Sequence, residues 1–493
     1  MDQIISIKPL LAVLTSLLVI PMLISSSNKP NVREGWTFTA GIIKFLIVAS
    51  MLPVILQGKE IVLTLFKIAP GVSIAFKVDG LGMLFALVAS SLWIITSMYS
   101  IGYMRTLKEH GQTRFVSFFA LAISATIGAA FSANLLTLYL FYEILSLATY
   151  PLVTHHQDEK SKISGRRYLT FILGTSVALV LPAMLYCYHV TGTLEFSSGG
   201  IFAMGQVSKP ALLVLLLMFV FGFAKAGIMP FHSWLPAAMV APTPVSALLH
   251  AVAVVKVGVF SIVRVITGIF GVDLLAHFNL GIIIASIAAT TILISSCIAL
   301  SQDELKRRLA FSTISQLSYI IFGVALLTPM GLLGGVIHIA MHAFGKITLF
   351  FCAGAIYVAT GKKYISQMKG LGKKMPITFT AFFIGALGVI GLPPSGGFYS
   401  KWYLLIGTLQ SEYKILMAVL LVSSFLNAFY FLPIIYQAFF SNDPDVSDTK
   451  DVIAIKEAPL WCVVPLIITA VISVILFFYP DIFVNLVKVG LGL

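Results

Sequence analysis

Charged side chains are scarce in this chain. Asp, Glu, Lys and Arg together supply 10% of 493 residues, while hydrophobic residues supply 59%, and the mean hydropathy is +1.00. A soluble domain carries about 25% charged residues, so the soluble classes are excluded and the chain reads as an all-α polytopic membrane protein. Cysteine is scarce as well. Cys187, Cys297, Cys352 and Cys462 lie far apart in apolar settings with no C-x-x-C pair, which excludes an iron–sulfur cluster, a structural zinc or a disulfide framework and leaves them as apolar filler. No glycine-rich phosphate loop follows a strand, so nucleotides are not bound by the usual routes. The composition therefore predicts no cofactor and no resident metal.

What is present is a series of fourteen apolar stretches of about 18–25 residues, the length that crosses a bilayer as a helix. The first has Asp2 ahead of it and no small-residue cleavage site behind it, so it reads as a retained span. Acidic residues are outnumbered 19 to 32, for a net charge of +13, a balance that in a soluble chain would suggest nucleic acid. Here the basic residues sort by loop: with both termini placed outside, nineteen fall in inside loops, seven in outside loops and six within spans. That is the pattern of the positive-inside rule. The charge orients a multi-pass protein in a prokaryotic inner (cell) membrane, implies no nucleic-acid partner, and favours an even number of spans.

Four regions follow. Residues 1–114 hold the first three spans, with an external hairpin near 57–78 signalled by β-branched residues around Pro70-Gly71. Residues 115–270 and 271–440 form two five-helix units, and residues 441–493 hold an acidic inside loop, read as a solvated connector, and the final span. The two units share a signal. Lys225 comes shortly before Pro230 and Pro236, and Lys401 comes shortly after Pro393 and Pro394. These interrupted stretches are the seventh and twelfth, five apart, and an odd offset makes the units inverted repeats. Paired interruptions of this kind point to a midplane site beside hydrated backbone.

An ionisable side chain at bilayer centre costs about 2.5–3.5 kcal/mol or more and marks function by default. Lys256 lies thirteen residues into the eighth span, too deep to snorkel, whereas Lys44, about eight residues into its span, reads as a snorkelling side chain. Arg264 is assigned to the end of the eighth span as an anchor or counter-charge. Glu143 is the only carboxylate well inside a span. It either bonds a neighbouring helix or pairs with Lys225, whose depth is similar, and such a pair would couple the two titrations.

His338, His342 and Lys346 recur at i, i+4, i+8 in the eleventh span, which stacks three titratable groups on one helical face. Two histidines at that spacing also suit a metal, but no glutamate of an H-E-x-x-H pattern accompanies them. His232 and His250 flank the seventh and eighth spans, as hydrogen-bonding residues or as a relay between Lys225 and Lys256. His155 and His156, at the end of the fifth span, read as solvated, and Trp36, Trp234 and Trp461 read as interfacial belt residues.

The run PFHSWLPAAMVAPTPVSALLHAVAVVKVGVFSIVR, the fifth-span glutamate, the HxxxHxxxK of the eleventh span and the PPSGGFYSKW break resemble the antiporter-like subunits shared by Mrp-type cation/proton antiporters, respiratory complex I and membrane-bound hydrogenases. The resemblance covers residues 79–440. It implies that Glu143 and Lys225 form a proton-loading pair, that Lys256 with His250 is a central relay, that His338, His342 and Lys346 continue the axis, and that Lys401 is the terminal proton donor. Many relatives carry an acidic residue in the W-L-P-x-A motif where this chain has Ala237. The longer subunit type needs well over 493 residues, so the chain is expected to resemble the Mrp D type.

The expected function is that of a proton-translocating subunit of a multisubunit cation/proton antiporter, moving H⁺ along a midplane Lys/His/Glu chain in exchange for Na⁺, with other membrane subunits and the bilayer as partners. The alternative is the proton-pumping subunit of a redox-driven complex, with the oxidoreductase chemistry in other subunits. A stand-alone solute transporter and a structural membrane arm are the rival classes. Na⁺ prefers anionic oxygen ligands, so the Na⁺ path is expected to lie mainly outside this chain.

Overall fold

The computed structural model describes residues 2–441 and 455–493, so most of the acidic connector lies outside the described residues. Among those described, twelve helices are long and apolar enough to cross a membrane. Two shorter apolar helices, Lys209–Gly222 and Pro376–Ile390, stand where the seventh and twelfth spans are expected to break, which completes the expected fourteen.

Burial sorts the helices into a core and a periphery. The eleventh span, Pro329–Thr360, is buried along the whole of its apolar window, and its neighbours Thr243–Phe270 and Leu305–Ala325 are 94% buried. Such positions surround the ionisable side chains His338, His342, Lys346 and Lys256 with protein rather than lipid. The peripheral helices Lys8–Ser25, Pro30–Leu56 and Leu416–Phe440 are one-third buried and expose Leu46, Phe425 and Phe429. Close approach at the centre depends on small residues. A Cβ at Gly334 would meet the backbone nitrogen of Leu404 at 2.7 Å, and one at Gly407 would meet that of Gly331 at 2.5 Å.

The hairpin expected near 57–78 is present. Strand β1 (Gln3–Ile5) runs parallel to β2 (Glu60–Ala69), which pairs antiparallel with β3 (Val72–Val78) in the register Ile61↔Val78 and Thr64↔Ala75. β1 carried no sequence signal, because it is three residues long and exposed. The last apolar stretch differs from expectation. It is two helices, Leu460–Phe478 and Asp481–Leu491, because Pro480 cannot continue the first helix. The second packs beside the third span, where Gly80 meets the backbone of Leu486 and Gly490. Both ends of the chain therefore lie on the hairpin face.

Candidate functional site

The first break begins where Lys209–Gly222 ends. A tight turn at Ala224–Ala226 follows, then Gly227 in the left-handed region at φ +70°. That conformation suits glycine. Lys225 sits in this turn, fully buried. Its Nζ donates to the Tyr142 carbonyl and, at 2.6 Å, to Ser146 Oγ, and it stands 3.2 Å from the centre of the Tyr142 ring. The Tyr142 hydroxyl in turn accepts the Lys225 backbone N–H at 3.2 Å. Lys225 and Glu143 meet through a serine. Ser146 has one hydroxyl proton and two acceptors, the Tyr142 carbonyl at 3.1 Å and Glu143 Oε2 at 3.3 Å. When it donates to Glu143, a line Lys225–Ser146–Glu143 is complete. The other oxygen, Oε1, is buried without a hydrogen-bond partner among the described residues.

The second break repeats the device. Pro376–Ile390 ends at Gly391, at φ +88°, and the chain resumes as Gly397–Gln410 after Pro393 and Pro394. Lys401 Nζ donates to the Ile390 carbonyl at 3.0 Å and to Ser424 Oγ at 3.2 Å, and lies 4.6 Å from the centre of the Tyr319 ring. Gly391 also leaves room for the lysine stem, since a Cβ there would fall 2.4 Å from Lys401 Cδ.

Between the breaks runs a buried file. In the eighth span, Gly258 packs directly on the turn that holds Lys225, with space for no Cβ: it would meet the Ala226 backbone nitrogen at 2.2 Å. Half a turn earlier, Lys256 Nζ lies 2.8 Å from His342 Nδ1. The His342 ring is 5.6 Å from that of His338. His338 bonds Ser400 Oγ through Nδ1 at 2.8 Å and Gln316 Oε1 through Nε2 at 3.2 Å, which brings the file to the residue beside Lys401. Lys346 branches away, donating to Ser312 Oγ at 2.8 Å, which also accepts from the Tyr430 hydroxyl at 3.0 Å.

His250 occupies a π-helical turn, Leu248–Val252, a local widening often found at functional sites. Both its ring nitrogens lack hydrogen-bond partners among the described residues, its ring packs on Phe350, and Lys346 and Lys306 lie within electrostatic reach. Tyr142, Ser146, Gln316, Ser312, Ser400, Ser424 and Tyr319 were not singled out by the sequence.

Several expectations are corrected. Lys44 does not snorkel: it is fully buried and donates to Ser16 Oγ at 2.6 Å. Trp234 is no belt residue. Its buried indole donates to the Ala224 carbonyl at 3.0 Å and caps the first break. Arg264 is a counter-charge in a specific sense, donating to Asp79 through both terminal guanidinium nitrogens at 2.5 and 2.7 Å. Cys297 is exposed on the outside of its helix, not buried filler. His155, read as solvated, is fully buried two residues past the end of the fifth span. Burial, with His110 and Arg114 beside it, pushes its imidazole down to about 4, so the ring is neutral at neutral pH.

His232 stands apart from Lys256 and lines a cavity of about 580 Å³ on the face opposite the hairpin. Glu109, His156, Arg167, Lys306 and Tyr357 share that wall, and so does Ala237, at the position where relatives were expected to carry an acid. Lys306 donates to the Ala241 carbonyl, just ahead of the eighth span, at 2.6 Å, and lies within electrostatic reach of His250.

Comparison with known proteins matches residues 132–427 to the family model "NADH:quinone oxidoreductase/Mrp antiporter, TM" and residues 68–116 to "NADH-Ubiquinone oxidoreductase (complex I), chain 5 N-terminus". The chain is 32% identical to NADH-quinone oxidoreductase subunit N of Desulforudis audaxviator, covering 87% of this chain and 86% of that one. It is 34% identical to hydrogenase-4 component B of Escherichia coli, covering 67% and 50%. It is 30% identical to one subunit of the Na⁺/H⁺ antiporter of Alkalihalophilus pseudofirmus, covering 84% and 53%. The chain thus spans about half the length of the latter two. Two solved structures share the fold: a component of the membrane-bound sulfane sulfur reductase, an archaeal respiratory membrane complex (TM-score 0.87, 22% identity, 99% of this chain and 97% of that one), and one of the Mrp complex from Dietzia sp. DQ12-45-1b (TM-score 0.83, 23% identity, 98% and 97%).

Proposed function

Because this chain belongs to the family of membrane subunits common to NADH:quinone oxidoreductases and Mrp antiporters, we propose that it conducts protons within a multisubunit complex of a prokaryotic cell membrane, in exchange for Na⁺. Two inverted units, 115–270 and 271–440, each supply one broken span with its lysine, and the eighth and eleventh spans supply the file between them. Glu143 and Lys225 load the proton through Ser146. Lys256, His342 and His338 carry it toward Lys401, with His250 and Lys346 joining the file to the cavity past Lys306.

The observation that carries this reading is the 2.8 Å contact between Lys256 Nζ and His342 Nδ1 in a fully buried setting. Two groups that both bind a proton as cations, held together without a carboxylate, are suited to pass one proton between them and unsuited to hold two. The same scarcity of acid supports a Na⁺ path lying mainly in other subunits, since Asp79 is already engaged by Arg264 and Glu143 stands alone as a carboxyl in the middle of a span. The charge asymmetry supports the cavity face as the inside and both termini as outside.

The test is transport by the complex reconstituted in liposomes, following pH with an internal dye and Na⁺ with a tracer. Lys256→Ala is expected to abolish H⁺ movement. Loss of Na⁺ movement with H⁺ movement intact would sink the assignment. A second reading, a redox-driven pump, is favoured by the 86% coverage of a quinone oxidoreductase subunit. It predicts that H⁺ movement requires an electron donor and a quinone rather than a Na⁺ gradient.

A further inference from the structure

The cluster at the rim of the cavity is not used by the proton file. Glu109 and His110 come from the loop after the third span, and His155 and His156 from the loop after the fifth, about 45 residues later in the sequence. One donor atom from each of Glu109, His110 and His155 falls in a group whose members all lie within 4.8 Å of one another. His155 Nε2 is 3.9 Å from Glu109 Oε2, and His156 Nδ1 is 3.6 Å from the same oxygen. These separations are too long for good hydrogen bonds. They are about 0.3–0.6 Å wider than the ~3.3 Å that separates two ligands on one tetrahedral ion with bonds of about 2.0 Å, so an ion would draw the side chains together by that much.

A second observation is independent of the clustering. His155 is fully buried, yet neither ring nitrogen makes a hydrogen bond of good geometry among the described residues, the His110 backbone being its nearest polar neighbour. A buried polar group without a partner is costly, and an imidazole in this state, beside a carboxylate and a second imidazole, lacks what a metal ion supplies. Arg114 is the adjacent cation. It donates to the His155 carbonyl at 2.7 Å and so holds the loop from the backbone side.

We infer that Glu109, His110 and His155 form a binding site for one divalent ion of the Zn²⁺ class, with His156 or water in the fourth position. Two or three imidazoles and one carboxylate are a donor set that Zn²⁺ accepts and that Mg²⁺ and Ca²⁺, which prefer oxygen, do not. Glu109 and His156 also line the cavity. An ion held there adds positive charge at its rim and, on the function proposed above, slows proton entry.

The experiment uses the full chain in its complex, with affinity tags removed and the preparation stripped with a chelator. Zn²⁺ is titrated by calorimetry, and its coordination is read by X-ray absorption. One site with at least two imidazoles is expected. Because His155 is buried and its replacement puts folding at risk, the decisive variants are at the partly exposed Glu109 and the exposed His110. Glu109→Gln and His110→Ala should each weaken binding at least about tenfold, while His277→Ala, outside the cluster, leaves it unchanged. Unchanged affinity in both cluster variants, equal weakening by His277→Ala, or fewer than two imidazoles in the absorption spectrum would overturn the site. Zn²⁺ bound as expected but without effect on H⁺ movement would overturn only its placement at the proton entrance.

Discussion

The two broken spans hold their lysines with the same kinds of group, drawn from the fifth span alone in the first and from three different spans in the second. Lys225 and Lys401 each donate hydrogen bonds to a backbone carbonyl and a serine hydroxyl and lie over a tyrosine ring. The tyrosines, Tyr142 and Tyr319, occupy the fifth and tenth spans, but the residue after the first is Glu143 and the residue after the second is Ile320. A carboxylate reachable through Ser146 stands at one end of the file. The other end has an apolar side chain in its place. On the function proposed above, these similar cradles serve unequal roles: the first would exchange a proton within this chain, whereas the second, with no carboxylate in the matching position, would hand its proton to water or to a neighbouring subunit.

That comparison can be broken at several points. The largest effect is expected from Lys225→Arg and Lys401→Arg, which keep the charge but remove a releasable proton. Each should lower H⁺ movement by about 10²-fold or more, the scale of a lost acid–base group, as measured by the internal dye. A substantial rate in either variant would mean that the lysine acts only as a fixed charge.

Glu143→Gln keeps the shape of the acid and should cost nearly as much, about 10²-fold. Activity near normal would erase the distinction between the two ends. Ser146→Ala removes the bridge and is expected to slow transport about tenfold, the equivalent of one hydrogen bond of about 1.4 kcal/mol. Ser424→Ala, with no acid beyond it, should cost about threefold or less, and equal losses would show that the bridge to Glu143 is immaterial.

The smallest effects concern stability, read as thermal unfolding in detergent. Gly391→Ala places a methyl group 2.4 Å from Lys401 Cδ at φ +88°, and about 2–3 kcal/mol is expected. Gly227→Ala meets nothing closer than Leu235 Cδ1 at 3.3 Å and should cost about 1 kcal/mol from its positive φ alone.

Much of this architecture was legible because the bilayer imposes a simple grammar. Length, apolarity and loop charge marked the spans, and the i, i+4, i+8 spacing of His338, His342 and Lys346 put all three on one buried face. The serines that link the lysines were illegible for a physical reason. Hydroxyls within apolar helices commonly bond the carbonyl four residues back, as Thr96 and Ser100 do here, so a serine in a span carries no signal until its neighbours are known. Depth misled for Lys44, because it says how far a side chain is from the interface and nothing about whether a partner such as Ser16 lies within reach. The rim cluster joins two loops distant in sequence, a proximity that only the packing of the third, fourth and fifth spans creates.

The eleventh span contains 32 residues, about 48 Å of helix at 1.5 Å per residue, against a hydrocarbon thickness of about 30 Å. On a lipid-facing helix that surplus would be answered by tilting or by thickening the membrane. This helix meets protein along its whole apolar window, so the lipid never registers its length. Histidines and lysine carried on such an element keep their mutual spacing whatever acyl chains the cell makes, and adaptation of the membrane to temperature leaves the buried file unstretched.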